Sequence, residues 1–286
     1  MLLYKQIKSL SPQFVKNKLK EFLKEDIPGK DHTSDNLISN THQGSYVLKS
    51  REAMVFCGED IIKNIFSKSI QITTHAQDGA HIKPNQKIAT ITGGSQEILI
   101  KERVLLNLIQ RLSGIASMTN EYIEALNNPQ IKILDTRKTT PGLRQFEKYA
   151  VQVGGGSNHR MDLSSGVMIK DNHIATSTIQ DMVDRIKDKE LNIPIQIEID
   201  KISQITENII LIADGLLLDN MTPSQIKKCI KKTKKLNNKK RKIFIEVSGG
   251  VNIKTIKKYN INGVGGISIG ALTHQATSKD IGLDVE

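Results

Sequence analysis

No tryptophan occurs in the 286 residues, and aromatic side chains make up only 4%. Aliphatic side chains must therefore fill the core, and a hydrophobic share of 38% supplies enough of them for a packed globule. Cysteine is nearly absent. Cys57 and Cys229 stand isolated, which excludes a redox pair or a cysteine-built zinc site and suits inert thiols in a reducing cytoplasm. No apolar run approaches the ~20 residues needed to span a membrane. The start, MLLYKQIKSL, lacks the sustained apolar stretch of a secretory leader. Acidic residues are missing altogether from 227–242, KKCIKKTKKLNNKKRK, which holds nine Lys and one Arg. That run alone accounts for +10 of the net charge of +11. The excess is thus local and reads as a solvated helix and loop, with non-specific nucleic-acid binding as the alternative.

What is present falls into two textures. Over 1–112 the pattern is α+β: a short helix near 11–24, a turn at IPGKDHTS, and β-like stretches near 45–56, 69–75 and 87–92. Turn signals at Asp78-Gly79, Pro84-Asn85 and Gly93-Gly94 separate them. The segment ILIKERVLLNLIQRLSG reads as a helix with Val104, Leu105, Leu108, Ile109 and Leu112 on one face. Arg103, Asn107, Gln110 and Arg111 turn outward on the other, and Gly114 is expected to stop the helix. From Ile131 onward, short apolar runs alternate with helical segments near 179–190, 223–236 and 253–259. Such alternation implies parallel βαβ units, either closing into a (β/α) barrel or forming an open doubly wound sheet.

Nearly every one of these runs ends in polar residues or glycine, where α/β proteins gather their chemistry. Arg137 and Lys138 follow the first run; Lys170, Asp171 and Asn172 end the second; Glu198 and Asp219 end the next two. Ser248, Gly249 and Gly250 close the fifth, and Gly270 the sixth. DTRKTTPGLR and GGGSNHR place Arg137, Lys138, His159 and Arg160 close together, with Glu147 the only acid between Arg137 and Arg160. Converging cations call for an anionic ligand, Arg suiting a bidentate carboxylate or phosphate and Lys a point charge. SGGVN and SIGALTH read as phosphate cradles. Glu198 and Asp219 are suited to sugar hydroxyls or to Mg²⁺ held through water.

These blocks resemble the quinolinate phosphoribosyltransferase family almost end to end: EDIPGKDHTS, DGAHIKPNQKIATITG, ERVLLNLIQRLSGIAS, DTRKTTPGLRQFEKYAVQVGGGSNHR, IKDNHI, IEID, LLLDN, EVSGGVN and ISIGALTH. The resemblance implies an N-terminal α+β sandwich domain over 1–112, an incomplete (β/α) barrel over 113–275 carrying the chemistry, and a segment 276–286 returning to the first domain. It implies a homodimer or a higher assembly of dimers with shared active sites. The implied reaction is phosphoribosyl transfer from phosphoribosyl pyrophosphate to quinolinate with decarboxylation, giving nicotinate mononucleotide, pyrophosphate and CO2. By position, Arg137, His159, Arg160 and Lys170 would hold quinolinate, with Arg103 delivered from a neighbouring subunit. Lys138 and Lys170 would line the shared centre; Glu198 and Asp219 would serve the ribose and the metal side. Ser248, Gly249, Gly250, Gly270 and His274 would contact phosphate. Two departures stand out: Gln196, where many members carry Glu, and Gly265-Gly266, where an acidic and a larger apolar residue are common. Two other readings remain, a phosphoribosyltransferase acting on nicotinate and a basic nucleic-acid-binding protein; no specific nucleic acid and no membrane partner is expected.

Overall fold

A computed structural model describes residues 2–170, 179–187, 192–237 and 241–286. The chain packs as two compact units. One comprises Ile7–Asn120, Gln145–Gly155 and Gln275–Glu286; the other comprises Met1–Gln6, Glu121–Arg144 and Gly156–His274.

The first unit begins with helix α1 (Pro12–Asp26), opened by a proline whose missing N–H costs nothing in the first turn. A short helix α2 (Ser34–Leu37) and strands β1 (Gln43–Ser50) and β2 (Met54–Val55) follow. Next come helix α3 (Glu59–Ile65) and strands β3 (Gln71–Thr74), β4 (His81–Ile82) and β5 (Lys87–Gly94). The C-terminal strand β12 (Ile281–Val285) pairs antiparallel with β1, Leu48 opposite Leu283, giving a sheet of order β12-β1-β5-β3. β2 and β4 form a separate pair, so the single stretch expected near 45–56 breaks at Arg51 to Ala53. Leu48, Ile88, Ile91 and Phe56 are fully buried, and aliphatic side chains dominate this core. Asp78 ties the start of α3 down. Its Oδ1 accepts the N–H of Gly58 and Glu59, and Tyr149 donates its hydroxyl to Oδ2 at 2.8 Å.

Helix α4 (Ser95–Leu126) corrects two expectations. Gly114 does not stop it; the helix runs twelve residues further. A β-carbon on Gly114 would lie 2.1 Å from the Thr277 carbonyl, so glycine is there to let the chain pass close, not to end the helix. Arg111 does not turn outward either. It donates to the wholly buried Glu147 at 2.9 Å and to the Ala276 carbonyl at 2.8 Å. A bidentate fork with a buried partner outweighs simple face periodicity. Glu147 belongs to helix α5 (Arg144–Val153), most of which packs with this unit, as Phe146 does against Phe14 with ring centroids 5.0 Å apart. The contiguous cut at 112/113 therefore differs from the packing, because α5 and the N-terminal residues bury their apolar faces in the unit opposite to their place in the sequence.

The second unit is built on six parallel strands: β6 (Lys132–Leu134), β7 (Val167–Ile169), β8 (Ile195–Ile199), β9 (Gly215–Asp219), β10 (Phe244–Ser248) and β11 (Gly266–Ser268). Their order is β6-β11-β10-β9-β8-β7, so the two edges are consecutive strands in the sequence. Ser157 bridges Leu134 in parallel beyond β6, which narrows the opening towards β7. This is the incomplete barrel. One face of the sheet is aliphatic, with Ile197, Ile199, Leu216, Leu218, Val247 and Ile267 at 0% exposure, while the alternate residues Gln196, Glu198, Leu217 and Glu246 share the other. Helices Ile179–Lys187, Glu207–Ile212 and Pro223–Leu236 join the strands, but the segment 253–259 forms only a 3-10 turn at Ile256–Tyr259. The Gly265-Gly266 departure has a packing cause: β-carbons there would lie 2.7 Å and 2.8 Å from the Phe244 ring, which occupies that space.

Candidate active site

The strand ends bring the two cationic motifs together through Asp135, a residue the motif reading passed over as a strand terminus. Asp135 is fully buried at the end of β6. Its Oδ1 accepts the His159 N–H at 2.8 Å and its Oδ2 accepts Asn158 Nδ2 at 2.6 Å. The segment carrying His159 and Arg160 is thus strapped beside the loop carrying Arg137 and Lys138. That loop is braced in turn by Arg144, which donates to Thr139 Oγ1 at 3.0 Å.

Arg137 lies close enough to Arg160 for its like charge to be felt there. Arg137 Nε is buried and has no hydrogen-bond partner among the described residues. The Arg160 guanidinium is held below its ordinary pKa, first by burial and then by the like charge of Arg137. It spends one N–H on the Gly166 carbonyl at 3.0 Å. A buried guanidinium beside a like charge, with the Arg137 Nε donor unsatisfied, is electrostatically suited to an anion. His159 is also buried here. Its Nδ1 accepts the Arg160 backbone N–H at 2.7 Å, and its Nε2 faces Glu246 at 3.4 Å. Accepting at Nδ1 leaves Nε2 as the ring's donor toward Glu246.

Lys170, just after β7, lies 3.3 Å from Glu198 at the end of β8. Asp171 and Asn172 lie outside the described residues. Asp219, the last residue of β9, is gripped by Asn220, whose Nδ2 donates to Oδ2 at 2.6 Å. Asn220 in turn donates its backbone N–H to the Ser248 carbonyl, which couples the ends of β9 and β10. After Ser248, Gly249 and Gly250 both take positive φ, 86° and 65°, aligning successive backbone N–H groups as an anion-binding nest. Gly270 closes the series. A β-carbon there would lie 3.0 Å from Lys138 Cδ and 3.1 Å from His274 Nε2, so these two basic side chains meet over it. Thr273, another residue missed in the sequence, donates its hydroxyl to the Lys138 carbonyl at 2.6 Å. Arg103 is not part of this cluster. It is 62% exposed on α4, with Glu102 4.0 Å away.

Among the described residues no group of three or more His, Cys, Asp or Glu side chains forms a ready metal cage. Glu198 and Asp219 at adjacent strand ends still fit Mg²⁺, which binds through one or two carboxylates together with water and substrate phosphates. A cavity of about 910 Å³ opens at the opposite, N-terminal ends of the strands, lined by Leu2, Leu3, Pro194, Phe244, Asp214 and Lys132. It holds none of the residues above, and the converging cations mark the chemical end instead.

A parallel barrel with cations, glycine turns and carboxylates gathered at its strand ends is the arrangement of an α/β enzyme suited to anionic ligands. Comparison with known proteins narrows this to one family. The model of the quinolinate phosphoribosyl transferase C-terminal domain matches residues 115–284, and that of the N-terminal domain matches 31–113. The chain belongs to the quinolinate phosphoribosyltransferase family. It is 40% identical over 276 residues to a Bacillus subtilis protein named "Probable nicotinate-nucleotide pyrophosphorylase (carboxylating)", spanning 95% of this chain and 93% of that one. The solved structure of NadC from Streptococcus pyogenes is 34% identical with a TM-score of 0.89, covering 97% of this chain and 99% of that one. The nicotinate-nucleotide pyrophosphorylase of Francisella tularensis is 33% identical, also with a TM-score of 0.89, covering 99% of this chain and all of that one. Among the described residues no helix is long and apolar enough to cross a membrane.

Proposed function

We propose that this chain transfers the phosphoribosyl group of phosphoribosyl pyrophosphate to quinolinate in NAD biosynthesis, releasing pyrophosphate and CO2 and leaving nicotinate mononucleotide. The observation that carries the choice of acid is the buried Arg160 guanidinium beside the like charge of Arg137, whose buried Nε has no partner among the described residues. A ring acid with two carboxylates supplies a charge for each of the two guanidinium groups; nicotinate, with one, leaves one of them unmatched.

Quinolinate binds with its carboxylates toward Arg137, Arg160 and Lys170, and His159 holds the Arg160 backbone beneath them. The pyridine nitrogen attacks the anomeric carbon as pyrophosphate departs, through a transition state of oxocarbenium character. Lys138 and His274, meeting over Gly270, face the departing charge, and Ser248, Gly249 and Gly250 cradle phosphate. Glu198 and Asp219 accept hydrogen bonds from ribose hydroxyls and hold Mg²⁺ directly or through water. When bound, Mg²⁺ neutralises pyrophosphate charge. The bond from the ring to the carboxylate next to the nitrogen then breaks with loss of CO2; the electron pair stays on that ring carbon, stabilised by the adjacent positive nitrogen, and a proton from water completes the C–H bond of nicotinate mononucleotide. No side-chain nucleophile is required, so positioning and neutralisation of two polyanions supply most of the catalysis.

The site is completed in a homodimer or larger assembly by Arg103 from a second copy; its exposure on α4 supports that reading. The protein works in the cytoplasm. A parallel assay with quinolinate and nicotinate, following pyrophosphate and CO2, tests the activity: equal turnover of both acids, or pyrophosphate release without CO2 from quinolinate, overturns it.

A further inference from the structure

Tyr4 reaches the interior of the barrel from the N-terminal segment. It is 9% exposed, its ring packs on His159 with centroids 4.7 Å apart, and its hydroxyl donates to Gln196 Oε1 at 2.8 Å. Gln196 Nε2 then donates to Glu246 Oε2 at 2.8 Å. The other oxygen of Glu246 faces His159 Nε2 at 3.4 Å, and His159 Nδ1 accepts the Arg160 N–H. Gln6 fixes the same segment by pairing its amide with both backbone groups of Asn158, at 3.0 Å and 2.6 Å.

The polarity of this chain suits the amide of Gln196. Burial keeps the Tyr4 phenol protonated, so it is a donor and needs an acceptor. Glu246 is a buried carboxylate and needs a donor. An amide offers both at once without any change of protonation. Glutamate at 196 would set a second carboxylate against Glu246 in a dry interior, where the pair must share a proton.

We propose that Tyr4 and Gln196 are positioning residues that act through Glu246 to orient the His159 ring and, through it, the Arg160 backbone, so that the N-terminal segment of this chain sets its affinity for the ring acid. The proposal rests on the reading that His159 and Arg160 form the ring-acid end of the site.

The test is steady-state kinetics on full-length Tyr4→Phe, Gln196→Met and the double variant, with His159→Ala as reference. Tyr4→Phe removes one oxygen and keeps the ring stack. Tyr4→Phe, which loses one hydrogen bond, should raise KM for quinolinate about 3- to 10-fold, Gln196→Met, which loses two, at least as much, and both should leave KM for phosphoribosyl pyrophosphate within about twofold. The double variant should cost no more than the larger single change, because both break one chain. In proteins labelled at histidine with ¹⁵N, the His159 ring resonances should lose the pattern of a single Nε2–H tautomer. Unchanged quinolinate KM, a parallel rise in both KM values, or additive effects overturns the proposal. If Gln196→Met does not fold, Tyr4→Phe decides alone. If His159→Ala raises quinolinate KM while Tyr4→Phe does not, the proposal fails and the site reading stands. If His159→Ala changes neither KM, the site reading fails with it.

Discussion

A β-carbon on Gly249 would sit 2.2 Å from the side-chain oxygen of Asn220, so the glycine nest after β10 and the carboxylate grip after β9 are one packed unit. Asn220 itself takes positive φ, 51°, which asparagine tolerates better than most residues. Gly249→Ala should therefore cost about 1 to 2 kcal/mol of stability from φ alone, with more from the clash, and should weaken phosphoribosyl pyrophosphate binding. Asn220→Gly separates the two roles. It keeps the backbone but frees Asp219, so thermal stability should hold while kcat/KM falls about tenfold, the value of one charge-assisted hydrogen bond. Unaltered kinetics in Asn220→Gly would remove Asp219 from the site.

Lys138→Ala and Arg160→Ala should each lower kcat/KM for quinolinate by about 10- to 150-fold, equivalent to ~1.5 to 3 kcal/mol for a lost charge-assisted contact. Lys138 is exposed, so its removal should leave the melting temperature unchanged. Calorimetry beside the kinetics checks that the loss is one of function; near-normal kcat/KM in either variant contradicts the site assignment.

The role of Arg103 across a subunit interface is open to complementation. Arg103→Ala and Lys138→Ala should each be nearly inactive. Mixed under conditions of subunit exchange, the heterodimers hold one site with both defects and one with neither, so random exchange should restore about a quarter of wild-type activity. Exchange confirmed by mass, with activity still at the single-variant level, confines Arg103 to its own chain.

Acid should loosen the C-terminal strand. Lys279, Arg51 and Lys87 hold the carboxyls of Glu52, Asp284 and Glu286 below their ordinary range through hydrogen bonds. Carboxyls lowered in the folded state stabilise it above their unfolded values and cease to do so as pH falls through the folded ones, here below about pH 4. Exposed pairs are individually weak, so the effect is local. Amide-exchange protection of Ile281–Val285 should fall on acidification before that of β5, and Lys87→Gln should blunt the response. Equal loss across the sheet counts against it.

The lysine run should be separable from catalysis. Lys231, Lys234 and Lys235 are exposed, whereas Lys232 donates to the Ile202 carbonyl and is best left in place. Replacing the three exposed lysines with Gln should reduce any salt-sensitive nucleic-acid binding and leave turnover nearly unchanged. A large activity loss with stability preserved would tie the run to the active site.

The sequence by itself determined the alternation of short aliphatic runs and helices, and with it the cations, carboxylates and glycine turns at strand ends. Those signals are local: period, turn chemistry and side-chain charge within a few residues. It did not determine that α4 passes through Gly114, since a glycine that stops a helix and one that admits a neighbouring carbonyl look alike in sequence. It did not reveal that Arg111 turns to Glu147, 36 positions away. Nor could it show that Tyr4 closes a hydrogen-bond chain with Gln196, 192 positions distant, or that Asp135 and Asn220 orient the residues that carry charge. Those arrangements are decided by the need of buried donors and acceptors for partners, a condition that exists only once the tertiary structure has removed them from water.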